Sequence, residues 1–142
     1  MNATAADRWA WLRGSRTVPR TSYTAHQVWK PTPGSLLALV GGLSLFGAGD
    51  ALLLAADLGA APWTVLAQGL SVRTGAPIGL MTFSVSVAVL VLWVPLRQRP
   101  GLGTVLNIVV IALVLQVVYD VLPRPGSLLP RLGFVALGIA VI

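Results

Sequence analysis

One apolar stretch constrains this chain more than any other feature. The 21 residues of 36–56 contain a single charged side chain, that of Asp50. With a helical rise of roughly 1.5 Å per residue, the stretch would be about 31 Å long, which matches a hydrocarbon core of about 30 Å. The whole chain is 56% hydrophobic and only 10% charged, whereas a soluble domain has about 25% charged residues. The sequence therefore predicts an integral membrane protein.

The order of apolar runs predicts an all-α fold, a polytopic transmembrane helix bundle. We expect three full spans, an incomplete fourth, and one short re-entrant or interfacial helix; in chain order the predicted helices are 36–56, 63–73, 77–96, 104–122 and 128–142. The short helix is too polar and too brief to cross a bilayer. The fourth run has eleven residues after Arg131, against about 20 for a span, which predicts a truncated chain.

Charge divides the chain into two parts and predicts its orientation. Residues 1–35 are polar and basic and predict a disordered cytoplasmic tail, and residues 36–142 predict the transmembrane domain. Lys and Arg are enriched beside spans on the cytoplasmic side. Seven basic residues would lie inside (five in the tail, then Arg97 and Arg99) against three outside (Arg73, Arg124 and Arg131). We therefore predict a multi-pass cell-membrane protein of bacterial type with a cytoplasmic N-terminus.

Composition also excludes several classes of chemistry. The chain has no cysteine, no glutamate, and one histidine, His26 in the polar tail. A His-based triad, a thiolate nucleophile and a zinc site therefore lack their residues. We predict no enzyme activity, no metal and no cofactor. The net charge of +6 comes from residues that flank apolar runs, so we expect contact with the lipid bilayer and not with nucleic acid.

Asp50 is the first candidate functional residue. A carboxylate in the middle of a span costs about 2.5–3.5 kcal/mol on an insertion scale, and such an acid is a functional hypothesis by default. The alternative is an acid that is merely tolerated, because it is protonated or bonded to a neighbouring helix. The turn after the span adds further candidates. The predicted pathway or substrate-binding residues are Asp50, Asp57, Gly59, Pro62, Trp63 and Thr64.

Small residues at four-residue spacing predict close helix packing. Two ladders are present, one of Gly47, Ala51, Ala55 and Gly59, and one of Gly34, Ala38 and Gly42. Such ladders let helix backbones approach closely in lipid, where packing drives association. Partner helices or a second copy of the chain could therefore bind these faces.

Three motifs carry a resemblance to a known family. ADLGAAPW at 56–63, QGLS and RTG within 68–75, and PLRQRPGLGTVLN at 95–107 resemble the YczE/YitT-type bacterial integral membrane proteins. The resemblance implies a fold and a membrane location but no reaction. Thr64 stands where members of that family often have an acid, and the second half that such members carry is missing here. A second half with the same number of spans would be inverted, which is a transporter pattern.

Two function classes follow from these observations. The first is a small-solute transporter-like protein, in which this chain is half of an inverted repeat and Asp50, Asp57 and the 59–64 turn line the pathway. The second is a non-catalytic membrane scaffold or assembly factor that binds partner helices through its small-residue faces. A membrane enzyme has little support, since no nucleophile–base pair can be named.

Overall fold

The computed structural model describes residues 31–97 and 100–142. The basic tail up to residue 30 and the predicted inner-side charge of Arg99 lie outside these residues. Five helices and no strand occupy the described ranges, which confirms the all-α prediction. The helices are α1 (Pro33–Ala56), α2 (Pro62–Thr74), α3 (Ile78–Leu92), α4 (Leu102–Val121) and α5 (Leu128–Val141).

Helix α1 begins three residues before the predicted start. The side chain of Thr32 accepts a hydrogen bond from the backbone N–H of Ser35, and Pro33 occupies the first turn. A side-chain cap followed by proline satisfies the orphan donors of a helix start, because proline lacks the N–H that would be unpaired there. The apolar run alone did not reveal this polar beginning. The helix ends at Asp57, which has a left-handed backbone with φ of 53°.

The prediction of three full spans is wrong. Within the described residues, α1 and α4 are long and apolar enough to cross a membrane, on the grounds of length and composition. Helix α3 has 15 residues, or about 22 Å, and α5 has 14. After Leu92 the chain continues in tight turns, in which Arg97 N–H bonds to the Val94 carbonyl at 3.1 Å. Pro95 explains the change, since it has no N–H to donate and disfavours a helical residue before it.

Helix α1 packs against both α4 and α5. It runs parallel to α4, because a Cβ on Gly103 would lie 3.9 Å from Leu39 and one on Gly47 would lie 3.2 Å from Val114. It runs antiparallel to α5, in which the Cβ position of Gly138 is 3.0 Å from the Gly49 carbonyl oxygen. Two glycines thus allow the backbones of α1 and α5 to approach each other, as small residues do in lipid.

The third contact of the bundle joins α3 to α4, and α2 packs on α3. A Cβ on Gly79 would lie 2.6 Å from the Ala112 carbonyl oxygen, so only glycine fits there. The same contact carries a hydrogen bond, since Gly79 N–H donates to Gln116 Oε1 at 2.7 Å. The first turn of α3, whose N-cap Pro77 offers no side-chain acceptor, is thereby capped from α4.

The core is small and lies toward the C-terminal end of α1. Its buried members are Ala51, Leu54, Ala67, Ile78 and Leu115. The N-terminal half of α1 lies outside it, and Leu37 is 75% exposed. In the most apolar window of each long helix, only 28% of α1 and 17% of α4 is buried. These two helices are therefore not the enclosed core helices of a globular domain.

Candidate functional site: a polar cavity at Asp50

The chain reverses direction after α1 and returns along the bundle. Asp57 takes a left-handed backbone, and Gly59 follows with φ of 138°, a value that essentially requires glycine. Ala61 and Pro62 then start α2, with proline in the first turn. Because the Thr64 hydroxyl bonds to Asp50, the start of α2 lies beside Asp50, six residues before the end of α1 at Ala56. It ends at Gly75, whose φ is 72°. Gln68 and Val72 of α2 line a cavity together with Leu54 and Asp57, so α2 runs in the same direction as α1, and it packs on α3. We refer to residues 57–75 as the hairpin, a loop that folds back to the level of Asp50 and is followed by α2.

Asp50 and Thr64 form the central contact of this hairpin. The Thr64 hydroxyl donates to Asp50 Oδ2 at 2.5 Å. Both residues are buried, with exposed fractions of 4% and 3%. A short bond from a hydroxyl to a carboxylate is among the stronger hydrogen bonds in proteins. A negative charge on Asp50 would also lie beside the N-terminus of α2, where the helix dipole favours it.

A cavity of about 230 Å³ lies against this pair. Helices α1, α3 and α4 and the start of α2 surround it. Its polar lining residues are Asp50, Thr64, Thr82, Ser86 and Asn107, and its apolar ones are Phe46, Ala61, Trp63, Ile108 and Ile111. A neighbouring cavity of about 160 Å³ shares Trp63, Ser86, Asn107 and Ile108 and continues toward Trp93 and Thr104. The two cavities share four lining residues and together extend from Asp50 toward the end of α3.

Two hydroxyl groups on α3 line the cavity at Asp50, and each already donates its proton to a backbone carbonyl. Thr82 Oγ1 donates to the Ile78 carbonyl at 3.0 Å, and Ser86 Oγ donates to the Thr82 carbonyl at 2.8 Å. Each donation is to the carbonyl four residues back, a common arrangement for Ser and Thr inside helices. The oxygen lone pairs that remain can only accept. Asn107, which is exposed, forms no side-chain hydrogen bond with the residues described.

The structure brings three of the six predicted site residues to the cavity, namely Asp50, Trp63 and Thr64. Pro62 supports them from the first turn of α2. Asp57 and Gly59 lie elsewhere, in the turn at the end of α1. The side chain of Asp57 is 72% exposed and lies 4.0 Å from Arg131. The two acids therefore do not share a site, although they are only seven residues apart, which is about two helical turns.

Asp57 borders a second polar cavity, of about 280 Å³, at the other end of the hairpin. Gln68, Tyr119, Arg124 and Arg131 also line it. The Arg124 guanidinium lies 5.0 Å from the centroid of the Tyr119 ring, and Arg131 Nε donates to the Pro125 carbonyl at 3.0 Å. These contacts hold both arginines at the end of the bundle, away from Asp50.

Sequence reasoning missed Thr82, Ser86 and Asn107 as site residues. Thr82 and Ser86 are spaced by four, which puts them on one face of α3. That signal was available, but periodicity does not reveal which helix the face meets. Asn107 stood as one polar residue in an apolar run, and only the parallel packing of α1 and α4 brings it near Asp50.

The fold and the cavity define a class: an all-helical protein with two helices long and apolar enough for a membrane and a buried carboxylate in a polar cavity. The chain belongs to a family of unknown function, DUF6198, whose profile matches residues 34–142. An uncharacterized protein of Haemophilus influenzae is 43% identical over 124 residues. The aligned part covers 87% of this chain and 57% of that relative, so the chain spans little more than half of the relative's length. No solved structure matches the chain. The comparisons do not confirm the YczE/YitT-type resemblance.

Proposed function

We propose that this chain is a multi-pass, non-enzymatic membrane protein of transporter-like type, in which the Asp50 cavity binds a small solute. One observation carries the proposal: a buried carboxylate, bonded to the first turn of α2, lines a polar cavity inside an otherwise apolar bundle. Ionisable residues inside membrane segments are costly and commonly mark solute or ion pathways. Helices that stop within the membrane are a recurrent way to build such sites.

The parallel packing of α1 and α4 supports a multi-pass arrangement. If both helices cross a bilayer in the same direction, residues 57–101 must return the chain to its starting side. The hairpin and α3 occupy that return path, and α3 with the turns at 93–97 reaches the level of Thr104. The large apolar exposure of the long helices agrees with lipid as their environment, since soluble proteins rarely expose contiguous apolar patches of this kind.

Cysteine accessibility tests the solute site directly, because the chain contains no cysteine. Ser86 lines both cavities, so we expect Ser86→Cys in proteoliposomes to react with a membrane-impermeant thiol reagent. The matched control is Leu113→Cys on α4, where the native side chain is apolar and 61% exposed on the outside of the bundle. In lipid that position should stay unreactive. An unreactive Ser86→Cys in correctly inserted protein would contradict a water-filled pathway.

A scaffold is the second candidate, and one observation favours it. On the N-terminal half of α1, the Cβ positions of Gly34, Gly41 and Gly42 meet no atom within 4 Å. This half of α1 therefore presents small residues that no described helix covers, as a helix-binding face would. Light scattering in detergent should show an oligomer that Gly42→Leu dissociates. A monomer in both cases would count against self-association through this face.

We further propose that this chain corresponds to one half of an inverted repeat. The relative from Haemophilus influenzae is longer than this chain, and its additional length could hold a second, inverted copy of the unit. A solute site between two such copies would lie near the midplane. Asp50, which sits within α1 and not at its end, is suitably placed for that position.

A further inference from the structure

We propose that the Asp50 cavity selects a small monovalent cation, either an alkali ion or a protonated amine. The inference rests on the proposed function, since it assumes that the cavity is a solute site. It adds the charge and the chemical class of the solute. Three features of the lining carry it: the charge balance, the direction of the hydroxyl protons, and the aromatic walls.

Within the part of the chain that the structure describes, the lining of the cavity carries one acidic side chain and no basic one. Asp50 is the one ionisable side chain among the described residues that line the two connected cavities. Arg124 and Arg131 line the other polar cavity, and Arg131 lies near Asp57. The Asp50 carboxylate therefore has no cationic partner within its cavity. A charge removed from water is strongly unfavourable unless it is paired, and a cationic solute would supply the missing partner.

The hydroxyl groups point to the same class of solute. Thr64 gives its proton to Asp50, Thr82 gives its proton to the Ile78 carbonyl, and Ser86 gives its proton to the Thr82 carbonyl. Toward the cavity these three oxygens can only accept. A solute with N–H donors, or a cation that binds oxygen, matches these oxygens. The lining also holds two N–H donors, the Asn107 amide and the Trp63 indole, but an anion there would lie beside the Asp50 carboxylate.

The aromatic walls also favour a cation. Trp63 and Phe46 line the cavity together with Asp50. The faces of aromatic rings attract ammonium groups, and tryptophan does so most strongly. A cavity of about 230 Å³ leaves room for an alkali ion with water or for a small amine.

Modification rates at Ser86→Cys test the charge selectivity. Two thiol reagents of similar size are compared, cationic trimethylammonioethyl methanethiosulfonate and anionic sulfonatoethyl methanethiosulfonate, each normalised to its rate with a free thiol. A cleft lined by one charge sign concentrates counter-ions about tenfold or more, so we expect the cationic reagent to react about tenfold faster. Adding Asp50→Asn should bring the ratio close to one. The matched control Asp57→Asn, which removes a carboxylate outside the cavity, should leave the ratio unchanged.

Competition then identifies the cation. We expect sodium chloride or methylammonium chloride to slow the modification of Ser86→Cys, relative to N-methylglucamine chloride at the same ionic strength. Protection by sodium alone assigns an alkali ion, and protection by methylammonium alone assigns an amine. Equal rates for the two reagents, or no protection by either salt, would overturn the inference even if Asp50→Asn does not fold. Failure of Ser86→Cys to react with either reagent would instead overturn the proposed function.

Discussion

At the scale of single residues, Asp50 and Thr64 must be considered as one unit. Each is buried, and each satisfies the other. A buried polar group that loses its partner costs more than the bond contributed, because the remaining group stays desolvated. The consequence is that removing both polar groups should cost less stability than removing the Thr64 hydroxyl alone.

The single substitution Thr64→Val should destabilise the protein. It removes the hydroxyl and leaves the Asp50 carboxylate buried without its donor, which costs about 1–3 kcal/mol of unfolding free energy. Thr64→Ser keeps the hydroxyl and should cost clearly less. Unfolding in a mixed-detergent titration measures both. A Val variant as stable as the native protein, beside a destabilised Ser variant, would show that the methyl packing of Thr64 matters and the hydrogen bond does not.

The paired substitution should reverse this loss. Asp50→Leu removes an insertion cost of about 3 kcal/mol but leaves the Thr64 hydroxyl unpaired, so alone it should be nearly neutral. Adding Thr64→Val to Asp50→Leu removes both polar groups, and the double variant should be at least as stable as the native protein. It should also have lost the preference of the cavity for cations. A double variant less stable than both single variants would indicate that the pair has a structural role beyond its own bond.

At the scale of helices, glycine positions decide how closely α3 and α4 approach. The Cβ position of Gly79 lies 2.6 Å from the Ala112 carbonyl oxygen and 2.6 Å from Gln116 Cβ. Neither neighbour can move without moving α4 or breaking the bond from Gln116 to the Gly79 N–H. Gly69, in the middle of α2, has no atom within 4 Å of its Cβ position. Gly69 therefore serves as the control for Gly79, because an added methyl group has room at the first position and none at the second.

Gly79→Ala should destabilise the bundle, and Gly69→Ala should not. Overpacking of this kind costs about 1–3 kcal/mol, whereas alanine in an open helical position gains about 0.5–1 kcal/mol over glycine. Detergent unfolding of the two variants gives the comparison. A stable Gly79→Ala protein would mean that α3 and α4 can separate by several tenths of an ångström without loss.

The helices themselves were largely predictable, and the reasons for the misses are local. Apolar length located α1 and α4, and Pro62 with the polar residues after it located α2. The predicted end of α3 at residue 96 is four residues too late, because hydropathy continues through Trp93 and Val94 while Pro95 disfavours a helix there.

For the cavity, the sequence indicated Asp50 and Thr64 separately. Their contact depends on the folded-back hairpin, and the role of Asn107 depends on parallel packing between helices distant in sequence, so neither could be derived from periodicity.

At the scale of the whole molecule, the bundle has two ends of different character. Arg97 lies at the end of the bundle where α1 and α4 begin. The opposite end, where α1 and α4 finish, carries Arg73, Arg124 and Arg131. The Lys and Arg count, which includes the basic residues of the tail, predicts that the first end lies in the cytoplasm. The orientation thus rests on charge that lies mostly outside the described helices.

Cysteine labelling in intact cells measures this orientation. Gly126→Cys lies in the loop before α5, with no atom within 4 Å of its Cβ position, and it should react with an impermeant reagent added outside. Arg97→Cys should react only after the membrane is permeabilised. The native cysteine-free chain is the blank for both measurements. The reverse pattern would place the N-terminus outside.

The folded-back hairpin also bears on the order in which the protein is made. The donor for Asp50 lies only 14 residues further along the chain, whereas the α4 residues that share its cavity come more than fifty residues later. Synthesis proceeds at about 5–20 residues per second. Thr64 is therefore added to the chain about 1–3 seconds after Asp50, and several seconds before α4 is complete. A nascent chain can therefore shield its most costly side chain by a local contact. It does not have to hold an unpartnered acid in lipid while it waits for the rest of the bundle.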